Sequence, residues 1–325
     1  MSRRSVIVLG AGGFIGRRIV AALAASDWAV PVAGVRSPQP GAGASEQRQV
    51  DATSEASLRA ALADADGIVN CIAGAADTIT ANARALAAVL PQLARAPRVV
   101  HLSSMAVYGS AVGRVDEDAP LLGDLDAYGA AKVAAERLLA PLPNLSILRP
   151  GIVYGPASLQ WSGLLGDLLL ARRLGALGAA GNGCCNLVHV DDLAAAVRLA
   201  LETPVAAGRA YNLGVDDAPT WNGYFQHYGE ALGVTPPSTI STLRLQLELK
   251  LIGPLLKVGE LAVGAGRLPP PIRPWLTRLC RHDLRLDGRR AATELGVVHR
   301  PVATGLREAA AWHRSGYPRA AARPA

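Results

Sequence analysis

Apolar and polar positions alternate between two patterns over the first 150 residues. Short apolar runs at 5–9, 29–35, 67–72, 98–103 and 145–149 read as strands buried on both faces. Between them lie Ala-rich stretches, 14–26, 54–63, 78–95 and 127–140, with apolar positions at helical spacing and charges turned outward. Strands separated by ten or more helical residues need crossovers, which are right-handed and put helices on both faces of a parallel sheet. The predicted fold is α/β, a Rossmann-type doubly wound parallel sheet. After Pro150 the pattern loosens, with Gly and Pro through 185, one more strand at 186–190, a helix at 191–203, and then a smaller, mostly helical C-terminal lobe.

Composition narrows the class. A chain of 325 residues can bury a full core. Met1-Ser2-Arg3-Arg4 leads into a short strand and not into an apolar signal region, and Cys71, Cys184, Cys185 and Cys280 show no metal-ligand spacing. A cytoplasmic protein without a metal site is expected. The formal charge of +7 is concentrated at the end, where residues 266–325 hold twelve Arg against Asp283, Asp287, Glu294 and Glu308. Few aromatics interleave with these arginines and no nucleic-acid motif is present, so they read as a solvated surface, with no nucleic-acid partner.

Chemistry enters at the first strand, which feeds into Gly10-Ala11-Gly12-Gly13-Phe14-Ile15-Gly16 and then a helix. A strand, a glycine turn and a helix in register form a dinucleotide-binding fingerprint. Gly10 serves the turn, Gly12 and Gly13 leave room for a pyrophosphate beside the amides of Phe14 and Ile15, and Gly16 packs the helix on the sheet. Arg36 ends the second strand, where a carboxylate would hold the ribose of NAD; a guanidinium favours the 2′-phosphate of NADP, with NAD the alternative. Asp51 is a candidate acceptor for the adenine amino group, or else a cap for the helix at 54–63. The expected division is a nucleotide domain at 1–155 to which 186–215 returns, a substrate lobe at 156–185 and 216–315, and a flexible basic tail at 316–325.

Of 33 basic residues only three are lysines, at 132, 250 and 257. Lys132 stands four residues after Tyr128, on the same face of an Ala-rich helix. An ammonium beside a phenol is expected to lower its pKa and make Tyr128 a general acid or base.

Further runs carry a resemblance: His101 to Gly109 (His-Leu-Ser-Ser-Met-Ala-Val-Tyr-Gly), Leu148 to Pro156, Val188 to Ala194, and Tyr211-Asn212-Leu213-Gly214. With the glycine turn and the Tyr128/Lys132 pair, the chain resembles the extended short-chain dehydrogenases and reductases, which include the NAD-dependent sugar epimerases and dehydratases. The resemblance runs to about residue 215. It implies that Ser104 hydrogen-bonds the substrate oxygen, that Tyr128 exchanges the proton and that Lys132 holds the nicotinamide ribose, so that the catalytic set is Ser104, Tyr128 and Lys132. It also implies that Asn70, Ala73 and Gly74 line the cofactor groove, that Pro150, Gly151 and Ile152 pack beside the nicotinamide, and that Asn82 supports the site. His189 and Asp192 would tie the sheet to the lobe, and the same likeness permits a homodimer through helices 78–95 and 127–140 while leaving the oligomeric state open. Dehydratases of the family carry an Asp-Glu pair after the serine, where this chain has Met105 and Ala106. What remains is an oxidoreductase acting on a secondary alcohol or ketone, a cofactor-retaining nucleotide-sugar 4-epimerase, or a non-catalytic nucleotide-binding assembly protein.

Signals for the small-molecule substrate are mixed. The stretch 242–263 is rich in leucine, with Arg244, Glu248, Lys250 and Lys257 scattered through it. A buried lobe helix is the expectation, a greasy lid or peripheral membrane contact the alternative, and no transmembrane segment is read. Arg278, Arg281 and Arg285 are candidates for binding a diphosphate.

Overall fold

A computed structural model describes residues 3–38, 45–235, 238–256, 258 and 272–317. Lys257, the Pro269-Pro270-Pro271 run and tail residues 318–325 lie outside the described residues. The sheet domain opens with β1 (Arg4–Leu9), α1 (Phe14–Ala24), β2 (Ala29–Val35), β3 (Glu46–Gln49), α2 (Glu55–Leu62), β4 (Gly67–Asn70), α3 (Ala76–Val89) and β5 (Arg98–Leu102). It continues with a short β6 (Gly113–Val115), α4 (Ala127–Leu139) and β7 (Leu145–Pro150). The remainder comprises β8 (Ile152–Tyr154), α5 (Leu165–Leu170), β9 (Leu187–His189), α6 (Val190–Glu202), β10 (Arg209–Leu213), α7 (Trp221–Leu232), α8 (Thr242–Leu247), α9 (Pro274–Arg281), β11 (Leu284–Leu286) and α10 (Val302–Arg314).

Seven strands form one parallel sheet in the order β10-β7-β5-β4-β1-β2-β3. Period-two alternation explains its two-sided burial. In β1, Val6 and Val8 enter a core shared with Ile19 and Leu23 of α1 and with Val197 of α6. Ile7 and Leu9 point to the opposite core, with Leu58 of α2, Leu86 of α3 and Ala135 of α4. A third core fills the lobe, built on Leu165, Leu168, Trp221, Tyr224, Phe225, Leu276 and Leu306.

Three sequence expectations need correction. The strand expected at 186–190 does not join the main sheet: β9 pairs with β8 in a two-stranded sheet, because the chain leaves the main sheet after Pro150 and Ile152 donates to the carbonyl of Asn186. The returning strand is β10, which pairs with β7. Helix α3 stops at Val89, where Pro91 converts the last turn to a 3-10 turn, instead of running to 95. The tail expected to be flexible from 316 keeps Tyr317 packed, buried against Trp312 and His313 and hydrogen-bonded to Asp167.

Among the described residues no helix is long and apolar enough to cross a membrane.

Candidate active site

The sheet order reverses beside β1, whose neighbours are β2 on one side and β4 on the other. A crevice at the carboxyl ends of the strands opens at such a switch point. Gly10 turns the chain there with φ +81°, and a Cβ at Gly16 would stand 2.3 Å from the Gly10 carbonyl oxygen, so α1 leaves the sheet in direct backbone contact with the turn. Gly12 and Gly13 are exposed, while Phe14 and Ile15 are half-buried against the core. No side chain caps the start of α1 and its first turn holds no acid, so its first amides are available to an anion. These features fit the pyrophosphate of a dinucleotide.

Arg36 and Asp51 are both exposed and lie within electrostatic reach of each other past the ends of β2 and β3. Asp51 accepts from the Thr53 amide and hydroxyl, which holds its carboxyl below the usual range, and the charge of Arg36 adds to this. It is not the helix cap; Ser54 caps α2 by accepting from the Ser57 amide.

Ser104 follows β5 and caps the 3-10 turn Met105–Tyr108, its Oγ accepting from the Ala106 amide at 3.2 Å. Asp126 caps α4 by accepting from the Gly129 amide at 2.8 Å, which sets the helix so that Tyr128 and Lys132 face the strand ends. Gly129 permits the approach, since a Cβ there would stand 2.8 Å from the Ala106 carbonyl oxygen. The sequence reading did not single it out; a glycine inside an otherwise Ala-rich helix was the available signal. As a result Ser104 lies beside Tyr128, near enough for its hydroxyl to favour the phenolate.

Lys132 runs beneath this pair. Its Nζ donates to the carbonyl oxygens of Leu102 at 2.7 Å and Ile72 at 3.4 Å, and lies 5.9 Å from the centroid of the Tyr128 ring. An ammonium has three N–H donors, so one remains for a ligand oxygen. The side chain is buried, and burial lowers its pKa to about 8. The expected lowering of Tyr128 by Lys132 is absent. Burial pushes the phenol up, the Ser104 hydroxyl pulls the other way, and the charge of Asp126 adds to the rise. The ammonium is held by the strand carbonyls, and burial is the largest influence on the phenol.

The remaining candidates divide. Ala73 and Gly74 are exposed on the loop after β4. Asn70 does not present its amide to the groove. It is fully buried, donating to Asn82 Oδ1 at 2.7 Å and lying 3.0 Å from His101 Nδ1, while its own Oδ1 accepts from the Ile72 amide. Asn82 in turn donates to the Ala52 carbonyl at 2.8 Å, tying the loop that carries Asp51 to the floor of the site. His101, given no role by the sequence reading, completes this chain of contacts, and burial together with the nearby Lys132 charge keeps it neutral. Pro150 and Ile152 are buried, Ile152 within the lobe core, and Gly151 alone keeps surface.

Structural support surrounds the site. Arg149 of β7 pairs with Glu136 of α4 at 2.7 Å, donates to the Tyr108 hydroxyl at 3.0 Å, and Tyr108 donates to Asn212 of β10 at 2.6 Å, all of them buried. His189 caps α6 through Nδ1, and Asp192 receives the side chain and amide of Arg300. His189, Asp191 and Glu308 are close enough to share a cation, but Arg300 already bonds Glu308 at 2.7 Å. On the lobe side, Met105 packs against the aromatic core, where Trp161 stands 5.9 Å from Trp221 and 5.7 Å from Trp275.

A model of the NAD dependent epimerase/dehydratase family matches residues 6–214. Over 151 residues the chain is 30% identical to Protein YeeZ of Escherichia coli K12, covering 46% of this chain and 51% of that protein. Over 134 residues it is 37% identical to the 3-diazoavenalumate denitrifying reductase of a Streptomyces species, covering 39% of this chain and 43% of that one. The chain thus spans about half the length, or less, of these curated relatives. The crystal structure of the human epimerase family protein SDR39U1 (isoform 2) with NADPH covers 94% of this chain and 99% of that one with TM-score 0.70 and 22% identity, a likeness of fold.

Proposed function

This chain belongs to the NAD-dependent epimerase/dehydratase family, and from that premise we propose that it is an NADP-dependent oxidoreductase of a secondary alcohol or ketone, with Tyr128 moving the proton. The observation that carries the reading is the grouping of Ser104 and Tyr128 with a buried ammonium 5.9 Å from the phenol ring, held by the carbonyls of Leu102 and Ile72. A purely structural role requires none of these three side chains, which argues against a non-catalytic assembly protein.

The amides following Gly12 and Gly13 would hold the pyrophosphate, Arg36 the 2′-phosphate and Lys132 a ribose hydroxyl. The bound cofactor supplies or accepts the hydride. Ser104 and Tyr128 hold the substrate oxygen between them, and because burial keeps the phenol protonated, Tyr128 is poised to donate its proton to a carbonyl as it is reduced. Met105 and Ala106 offer neither acid nor base, so elimination of water has no catalyst there.

Two variants test this with a ketone panel followed by NADPH consumption. Tyr128→Phe is expected to lower kcat about 10²- to 10⁴-fold with NADPH affinity unchanged; full turnover by this variant rejects the mechanism. Arg36→Ala is expected to weaken NADPH binding about tenfold and leave NADH binding alone. An equal loss for both cofactors rejects the NADP assignment.

One observation favours a second reading, a nucleotide-sugar 4-epimerase that keeps its cofactor. A cavity of about 430 Å³ in the lobe is lined by Leu177, Ala180, Thr239, Ser241 and Arg281, chemistry suited to a sugar nucleotide. Nicotinamide absorbance that survives gel filtration of the purified protein would favour this reading over the first.

A further inference from the structure

The helical segment 242–256 is apolar on two opposite sides. Helix α8 runs from Thr242 to Leu247, a wide π turn continues over Glu248–Ile252, and helix resumes at 253–256. On the inner side Leu245 is buried, Leu249 packs against the lobe core, and Glu248 is buried against Arg173, its Oε1 accepting from Nε at 3.1 Å. On the outer side Leu243, Leu247, Leu251, Leu255 and Val258 are 78%, 48%, 53%, 62% and 65% exposed. Steps of four, four, four and three residues align these five side chains as one stripe along the helix. Single exposed leucines are ordinary on a protein surface, but a continuous row of them marks a contact.

Charge identifies what the stripe meets. Residues 241–282 contain seven Arg or Lys against Glu248 and Glu260, and Glu248 is already paired with Arg173. Arg244 and Lys250 are exposed beside the stripe. Lys250 is one of only three lysines in an arginine-dominated chain. Lysine carries a compact charge on a flexible stem that reaches from an apolar layer back to a polar one. A second copy of the chain is a poor match, because a two-fold interface on this face would bring two positively charged patches together.

We propose that segment 242–256, with Val258, is an interfacial anchor that seats the protein on an anionic lipid surface. Leu243, Leu247, Leu251 and Leu255 enter the boundary of the acyl layer, and Arg244 and Lys250 lie among the lipid phosphates. The lobe cavity begins at the same place, since Ser241 and Thr242 line it and also start α8. The anchor does not depend on which reaction the site performs.

The test is co-sedimentation of the full-length protein with phosphatidylcholine vesicles, with and without phosphatidylglycerol, at low and high salt. The protein is expected to pellet with the anionic vesicles, less so in high salt. The double variant Leu247→Asp/Leu251→Asp is expected to lose binding about tenfold or more while keeping its circular dichroism and melting temperature, because both positions are exposed. Failure of the unaltered protein to pellet with anionic vesicles overturns the proposal. So does a double variant that pellets as the unaltered protein does. A dimer that the double variant dissociates, in a protein that ignores vesicles, assigns the stripe to a second copy and also overturns it.

Discussion

Lys132 is a cation held where cations are costly. Its ammonium donates to two backbone carbonyls, while Glu136, a buried carboxylate within electrostatic reach, is engaged by Arg149. Its pKa falls from 10.5 to about 8 through burial. Below about pH 8 the folded protein bears the full cost of that charge; between about 8 and 10.5 the unfolded chain holds the extra proton, so this group's contribution to stability improves as pH rises. Lys132→Met is therefore expected to hold or raise the melting temperature while lowering reductase turnover about 10²-fold or more. In the unaltered enzyme kcat/KM for reduction is expected to fall as pH rises through about 8, where the free enzyme loses the ammonium. A melting temperature that drops sharply in the variant would contradict this account. The spacing of Tyr128 and Lys132 was legible in the sequence, but the direction of the tyrosine shift was not, because burial is a property of the folded neighbourhood and here it outweighs everything else acting on the phenol.

At the scale of elements, the glycine turn separates packing from binding. A Cβ at Gly16 would meet the backbone oxygen of Gly10 at 2.3 Å, an atom that has no room to yield, whereas one at Gly12 would meet only Val35 Cγ1 at 3.9 Å. Gly16→Ala is expected to cost about 1–3 kcal/mol in thermal or denaturant melts. Gly12→Ala should melt like the unaltered protein yet bind NADPH more weakly by titration, because its added methyl projects where a pyrophosphate would lie. Equal melting losses for both would mean that the turn is only a packing device. The strands of the sheet interior were legible because burial on both faces leaves continuous apolar runs. β9 was misplaced and β10 went unrecognised for a related reason: Leu187–His189 and Arg209–Leu213 are short, and which of them finds β7 depends on where the chain turns after Pro150.

At the scale of the molecule, the buried ion pair between Arg149 and Glu136 joins β7 to α4, and through Tyr108 and Asn212 it reaches β10. Residues spread from 108 to 212 thus hold one another in place around the serine and tyrosine. The sequence offered these positions as parts of separate runs without showing their contact, since contacts across a hundred residues leave no local pattern. The edge strand carries a further consequence for biosynthesis. A ribosome that has released only the first half of this polypeptide leaves β7 with a row of unanswered amides and carbonyls until Arg209–Leu213 has emerged to cover them. During that interval the nascent protein offers a sticky margin to its neighbours, and it is then that a chaperone would matter most.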